Sequence, residues 1–536
     1  MLRLNNKGFA ISGILYATLI LFLILMLGTL SILASDKFLL DKTKNDLVNE
    51  LNNEEYIEIV FDYLEMKVDQ HYSGALNLLD GVRAYDKNGE ELPSINISYE
   101  TNLDITKNGT YQIEYIASNG KWSASAIRTI VVKYAESALN GANPELTTGM
   151  IPVTYNGTNW VKADVNQSWY NYTNKQWANA VTVTSTNRTT LSNAAPGTII
   201  PMSDINTMWV WVPRYKYAIP TGTGARSISI VFESKTVAKS TGTATGTSYR
   251  THPAFTFGTT EVNGIWIGKF ETTGAISSPT ILPDVASLRS QTVKAMYDAS
   301  RAMQNNATYG FSTDGNIHMA KDSEWGAVAY LSNSIYGINS EIFINPSSTY
   351  ITGRGGNTVS QSYTTDTSGT ASATLYGYDG KQCSTKTGYV CTGTAQSVYG
   401  MSSSTTGNIY GVYDMSGGAW ESVMGMHRPT SATSVTDSSG FGATTTIGTL
   451  PTSEYWDRYT TTTSTTACSG GICYGSAFSE TSNWYSDIAY FVSATNPWSI
   501  RGGLNSSVGS AGAFSSNYNN GASSSQLSFR LTQMKQ

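Results

Sequence analysis

Oxygen-bearing side chains set on glycine turns are the first chemistry the chain offers. In Tyr413-Asp414-Met415-Ser416-Gly417-Gly418-Ala419-Trp420-Glu421, Asp414 and Glu421 flank a double glycine. Carboxylates on such turns can wrap oxygens around a hard cation. The competing reading makes Asp414 an Asx-turn cap and Trp420 a core residue. The four cysteines fall into two short-range pairs, Cys383 with Cys391 and Cys468 with Cys473. In Gly/Thr-rich segments that spacing suits disulfide staples in an oxidising compartment. A zinc site is the rival, but the pairs lie far apart and lack knuckle spacing. His71, His252, His318 and His427 stand singly and read as structural. The search for catalytic roles returns no Ser-His-Asp set and no paired carboxylates.

A second candidate lies near the end of the sequence, in RGGLNSSVGSAGAFSSNYNNGASSSQLSFR, residues 501–530. Between its two arginines there is no Asp, Glu, Lys or His. The composition is that of a flexible linker, yet a linker has no use for Val508, Phe514, Leu527 and Phe529. Arg501-Gly502-Gly503, Ala511-Gly512-Ala513-Phe514, Asn519-Asn520-Gly521 and Phe529-Arg530 read as the frame of closing strands and turns. Between them stand Leu504, Asn505, Ser506, Ser507, Ser510, Ser515, Ser516, Tyr518, Ser523, Ser524 and Ser525. Ser, Asn and Tyr are the residues recognition loops favour, for adaptable hydrogen bonds and rigid aromatic contact. The expectation is a binding face for an extracellular protein or carbohydrate; the bland alternative is solvated loops.

What must position these groups is a long chain. With 536 residues, two to four domains are expected. Charged residues are 14% of the total, with 33 Tyr and 12 Trp, a loop-rich and strand-rich composition. The net charge of −5 and the lack of a basic stripe argue against a nucleic-acid partner. Gly8 to Ser35 is an uncharged apolar run, long enough to span a bilayer, with Arg3 and Lys7 before it favouring a cytoplasmic N-terminus. A single N-terminal transmembrane helix is therefore expected over 1–35, with the bulk extracellular. A helical stalk is expected over 36–70, from Leu39, Leu40, Leu47, Leu51, Ile57 and Val60. Residues 75–134 alternate with period two between Asn-Gly turns, as half-buried antiparallel strands do. A linker is expected over 135–150, and one large domain over 151–536. Within that domain 209–219, 227–234 and 264–274 read as strands, and 285–304 and 321–334 as helices.

Several of these stretches resemble known families. Lys7-Gly8-Phe9 before the apolar run resembles a type IV prepilin leader, which implies cleavage between Gly8 and Phe9 and partners among pilin subunits. Gly13 stands where pilins carry Glu. Residues 81–133 look like the immunoglobulin-like spacers of bacterial surface proteins. GKFETTG, DSEWGAVAYL, NIYGVYDMSGGAWESVMG, Arg501-Gly502-Gly503 and Phe529-Arg530 resemble, in order, the motifs of the formylglycine-generating, or sulfatase-modifying, superfamily. The resemblance implies a C-type-lectin-like α+β domain. It also implies structural calcium, held by the side chains of Asp414 and Glu421 and the carbonyls of Gly417 and Ala419, although Gly418 replaces the family's Asn. The oxidase members use cysteines just after Arg-Gly-Gly, and here that interval has none, so no soft-metal ligand or redox nucleophile stands there. The Ser/Asn/Tyr pattern instead resembles the variable region of retroelement-diversified binding proteins on the same scaffold. The expected function is a cell-surface, pilin-like display protein that binds a ligand and is no enzyme. The alternatives are a minor pilin without ligand and a divergent enzyme of the superfamily.

Overall fold

A computed structural model describes residues 56–69, 76–105, 109–133, 141–166, 169–365, 374–429 (except 385, 389 and 395), 437–442, 450–464, 467–468 and 472–535. The chain divides into two compact units, one of residues 1–135 with 166–168, the other of 136–165 with 169–536.

In the smaller unit, alternation of apolar residues makes the strands. Ile57–Phe61 pairs antiparallel with Val82–Asp86 and buries Ile57, Ile59 and Phe61 on one face. A four-stranded sheet runs in the order Glu65–Asp69, Ser123–Lys133, Gly109–Ser118, Ile97–Glu100. Its first pair is parallel and the others antiparallel. Ile113, Tyr115 and Ala117 alternate inward on the long hairpin, as period-two strands require. The helical stalk expected over 36–70 is corrected here. Ile57 and Val60 sit in a strand, because Ile-Glu-Ile-Val-Phe also alternates with period two and finds a partner strand at 82–86. The rest of the expected stalk, through residue 55, lies outside the described residues.

The larger unit is also mostly β. Its widest sheet has seven antiparallel strands in the order Gly315–Met319, Leu531–Lys535, Gly264–Gly268, Ile205–Pro213, Asn179–Val183, Ile151–Tyr155, Trp160–Lys162. Trp209, Trp211 and Trp266, all buried, fill its faces. A second sheet orders Ser229–Phe232, Tyr215–Ala218, Ser248–Thr251 and Thr241–Thr245. A third centres on Trp420–His427, which pairs with Asp457–Tyr459, Trp498–Gly502 and Leu527–Phe529, while Gly512–Asn519 extends it beyond Trp498–Gly502. Residues 141–150 pack on this unit: Ala142 and Met150 are buried, and Trp266 Nε1 donates to the Glu145 carbonyl at 2.9 Å.

The expected α+β balance is corrected to a mostly β domain with short helices. The helix expected over 285–304 is only Val293–Ala302, capped by the Thr292 side chain. Residues before it are drawn into bridges, Ala286 with Ile351 and Ser287 with Thr273, which hold the backbone extended. The helix expected over 321–334 is Asp322–Ser332. Asp322 does not cap it; Glu324 accepts from the Lys321 N–H at 2.8 Å, and buried Asp322 accepts from the Tyr459 hydroxyl at 2.5 Å.

The expected single transmembrane helix is likewise corrected. Among the described residues no helix is long and apolar enough to cross a membrane. The longest has 11 residues, about half of the ~20 a helical span requires. Residues 1–35, including Gly8 and Phe9, lie outside the described residues. The membrane-anchored localisation therefore has no support among the described residues. Both disulfides, Cys383–Cys391 and Cys468–Cys473, are formed, as in proteins of oxidising compartments.

Candidate functional site

The segment with recognition-loop composition is a hairpin and its return. Trp498–Gly502 and Gly512–Asn519 pair antiparallel, Trp498 opposite Asn519 and Gly502 opposite Gly512. The chain then runs back to Leu527–Phe529, parallel to Trp420–Ser422. The frame is interior: Arg501, Phe514, Phe529 and Arg530 are all buried, and the Phe514 ring meets Trp484 at 5.1 Å. Between frame residues, Ser506, Tyr518, Ser523 and Ser525 are exposed, and Leu504, Ser507, Ser510 and Ser524 are half-buried.

Three of the predicted face residues are interior instead. Asn505 is buried because its Nδ2 donates to the Ser347 carbonyl at 2.5 Å and its N–H to the Gly418 carbonyl at 2.8 Å. Ser516 is 2% exposed, with its hydroxyl donating to the Tyr490 carbonyl. Ser515, also buried, donates to the Ser510 carbonyl. These three hold loops in place.

The exposed residues gather in two places. Leu504 to Ser507 and Ser523 to Gln526 flank Gly418–Trp420, since the Asn505 N–H reaches Gly418 and the Trp420 N–H donates to the Gln526 carbonyl at 3.0 Å. Arg289 closes this end, donating to the Ser525 carbonyl with its guanidinium 4.0 Å over the Tyr350 ring. Tyr518 stands toward the other end of the hairpin, opposite Ser499, and pairs with Tyr490 at 6.2 Å between rings. Tyr490 is 60% exposed. The sequence does not mark it: Ile488-Ala489-Tyr490-Phe491 is an unbroken apolar run with no alternation to show which side chain faces out.

The carboxylates of Asp414 and Glu421 come close enough to interact, but their oxygens accept from protein donors. Both Glu421 carboxylate oxygens accept from Arg530, Nε at 3.0 Å and Nη2 alongside. Arg530 also donates to the Gly268 and Tyr413 carbonyls. Asp414 accepts from Asn345 Nδ2 at 2.9 Å, from the Gly353 N–H at 2.9 Å and from the Glu271 N–H at 3.4 Å. A third carboxylate, Glu271 of the GKFETTG stretch just past the strand Gly264–Gly268, accepts from the Ala419 N–H at 2.9 Å. Gly418 makes room for it: a Cβ there would lie 2.4 Å from Glu271 Oε1. A side chain at position 418 would meet that carboxylate, which is the local reason for glycine there.

Burial pushes the carboxyls of Glu271 and Asp414 above their ordinary range, and Asp414 and Glu421 press Glu271 further up. Burial also lifts Glu421 to about 7 against the pull of Arg530. A guanidinium already fills the place opposite Glu421, and the Asp414 oxygens are spent on N–H donors. As arranged, these residues do not fit a calcium ion. Among the described residues, no group of three or more His, Cys, Asp and Glu could hold a metal.

A further buried acid lies under the hairpin. Asp487 accepts from the Phe514 N–H at 3.0 Å, while its Oδ1 meets no partner among the described residues. Burial and the nearby Glu341 raise it to about 8.

No protein-family model matches the chain, and no curated protein does. Two solved structures are similar over parts of it. One is the lipoprotein BT2262 from Bacteroides thetaiotaomicron, with 12% identity, a TM-score of 0.13, and coverage of 29% of this chain and 60% of that one. The other is CBM51-2 in complex with GlcNAc and INT domains from Clostridium perfringens ZmpB, with 9% identity, a TM-score of 0.13 and coverage of 31% of each chain. Likenesses at that score bear on neither the fold nor the function of this chain.

Proposed function

We propose that the larger unit is a recognition domain, without catalytic activity, that binds an extracellular protein or carbohydrate through side chains of 504–525. Its scaffold is read as that of the formylglycine-generating superfamily. The observation that carries this reading is the interleaving of a buried frame with exposed small polar groups. Arg501, Phe514, Phe529 and Arg530 are inside, while Ser506, Tyr518, Ser523 and Ser525 face solvent. Such positions can change without touching the core. Ser and Tyr there give hydrogen bonding and aromatic contact. They are also what adenine-directed mutagenesis of Asn-type codons yields in retroelement-diversified proteins. The two disulfides suit an extracellular setting.

The test replaces Ser506, Tyr518, Ser523 and Ser525 together by Ala in the full chain and measures binding to intact cells and to glycan arrays. Binding lost by at least tenfold, with an unchanged melting temperature, is the expected result, because a few aromatic and polar contacts dominate interface energy. Unchanged binding by the quadruple variant overturns the face.

A further inference from the structure

A cleft of about 470 Å³ opens in the larger unit, away from the Asp414–Glu421 stretch. Its size is that of small-molecule sites, roughly 300–1,000 Å³. Thr243 and Thr245 line one wall, Phe478 and Phe491 another, and Arg226 and Ser482 contribute from two further segments. The tertiary structure alone assembles it.

Charge in the cleft is unbalanced. The four fully buried arginines of the larger unit each face a carboxylate: Arg214 with Glu233, Arg354 with Asp284, Arg501 with Asp322, and Arg530 with Glu421. Arg226 forms no such pair among the described residues. Its Nε and Nη1 are shut from solvent and meet no acceptor there, and its head lies 5.7 Å from the Trp484 ring. Gly222 lets the neighbouring turn approach, since a Cβ on it would lie 2.8 Å from Nη1. The acid on the cleft wall, Glu480, is already engaged. It accepts from the Tyr217 hydroxyl at 2.8 Å, the Tyr330 hydroxyl at 2.9 Å and the Gly475 N–H at 2.7 Å. Burial raises its pKa against the pull of these donors and of Arg250. The uncommitted charge is therefore Arg226's guanidinium, and with Nε and Nη1 shut in, Nη2 is the nitrogen that a carboxylate in the cleft can reach.

The rest of the lining defines what carries that carboxylate. Threonine and serine hydroxyls donate and accept in turn, which suits a polyhydroxylated ring. Phe478 and Phe491, 5.0 Å apart and inclined by 30°, offer apolar faces to the C–H side of such a ring. We infer that this cleft binds a small acidic sugar, its carboxylate held by Arg226 and its hydroxyls by the threonine and serine wall. This site goes beyond the recognition face at 504–525 and does not rest on it. The two adjoin where Ser516 exchanges hydrogen bonds with Ile488 and Tyr490 and the Tyr518 ring meets that of Tyr490.

Calorimetric titration of the full chain with glucuronic acid and N-acetylneuraminic acid, against neutral N-acetylglucosamine, tests the inference. At least one acid should bind, at least tenfold more tightly than the neutral sugar. Arg226→Gln should lose at least tenfold of that affinity with its melting temperature kept. Should Arg226→Gln not fold, Thr243→Val with Thr245→Val takes its place and should weaken binding likewise. Tyr518→Ala should leave acid binding unchanged, which separates this cleft from the face. Absence of binding by both acids overturns the site. So does equal binding of the neutral sugar, or full affinity in the cleft variants.

Discussion

Single residues in the C-terminal hairpin divide by what their polar atoms reach. Phe514 and Phe529 were legible as core from sequence, because large apolar side chains in a Ser/Asn/Gly segment have no other use. Asn505, Ser515 and Ser516 were not legible, since they are interior only by virtue of acceptors elsewhere in the fold, Ser347 and Tyr490 among them. Asp487 belongs to the same group: its value depends on the Phe514 N–H and on Glu341, both distant in the chain. Its folded pKa of about 8 lies above its ordinary 3.8. The neutral acid is therefore the form the fold favours. This contribution is fully present below the ordinary value and is lost as pH rises through about 8. Asp487→Asn, which mimics the neutral acid, should flatten the fall in melting temperature over that window and raise it by a few degrees at the alkaline end. A pH profile of thermal melts for both proteins checks this. Parallel profiles would show that Asp487 ionises freely in the fold.

At the scale of elements, Glu421 in Trp420–His427, Glu271 just beyond Gly264–Gly268 and Arg530 between Leu527–Phe529 and Leu531–Lys535 come to one buried point. All three stretches stand out by motif in the sequence, but their meeting is not visible there. Glu421 was assigned to calcium because Gly-Gly turns and carboxylates suit a hard cation, and nothing in the linear sequence says that Arg530 takes both its oxygens. Melting curves of the full chain in millimolar calcium and in chelator should therefore coincide. Arg530→Met, by contrast, should cost about 3–5 kcal/mol, the usual penalty for stranding one member of a buried ion pair. Denaturant titration measures it. A calcium-dependent rise in melting temperature that Asp414→Ala abolishes would restore the ion to this stretch. The helices follow a related rule. Asp322–Ser332 formed close to where its pattern put it, whereas 285–292 lost its helical pattern to bridges with residues 273 and 351. Tertiary hydrogen bonds outweighed a weak local propensity.

Across the whole molecule, both disulfides lie in the larger unit and close short loops, with sequence separations of 8 and 5. Each closure is worth about 2–3 kcal/mol in the chain-entropy account. Calorimetry of the full chain should show two transitions, and reductant should lower only that of the larger unit, because the smaller one contains no cysteine. A shift in both transitions, or in neither, would contradict this assignment.

Local sequence determined what depends on neighbours in the chain: alternating strands at 109–133, the Asn119-Gly120 hairpin turn, the two cysteine pairs, and the apolar frame of 501–530. Each of these is a matter of period, turn chemistry or short loop closure, and all act within a few residues. Only the tertiary structure decided that 57–61 is a strand, that Arg530 answers Glu421, that Asn505 and Ser516 are interior, and that Arg226 lines a cleft with no carboxylate partner among the described residues. Those outcomes turn on which donors and acceptors meet across long stretches of chain. Burial then sets their cost, because a polar group removed from water is held by whatever partner the fold supplies.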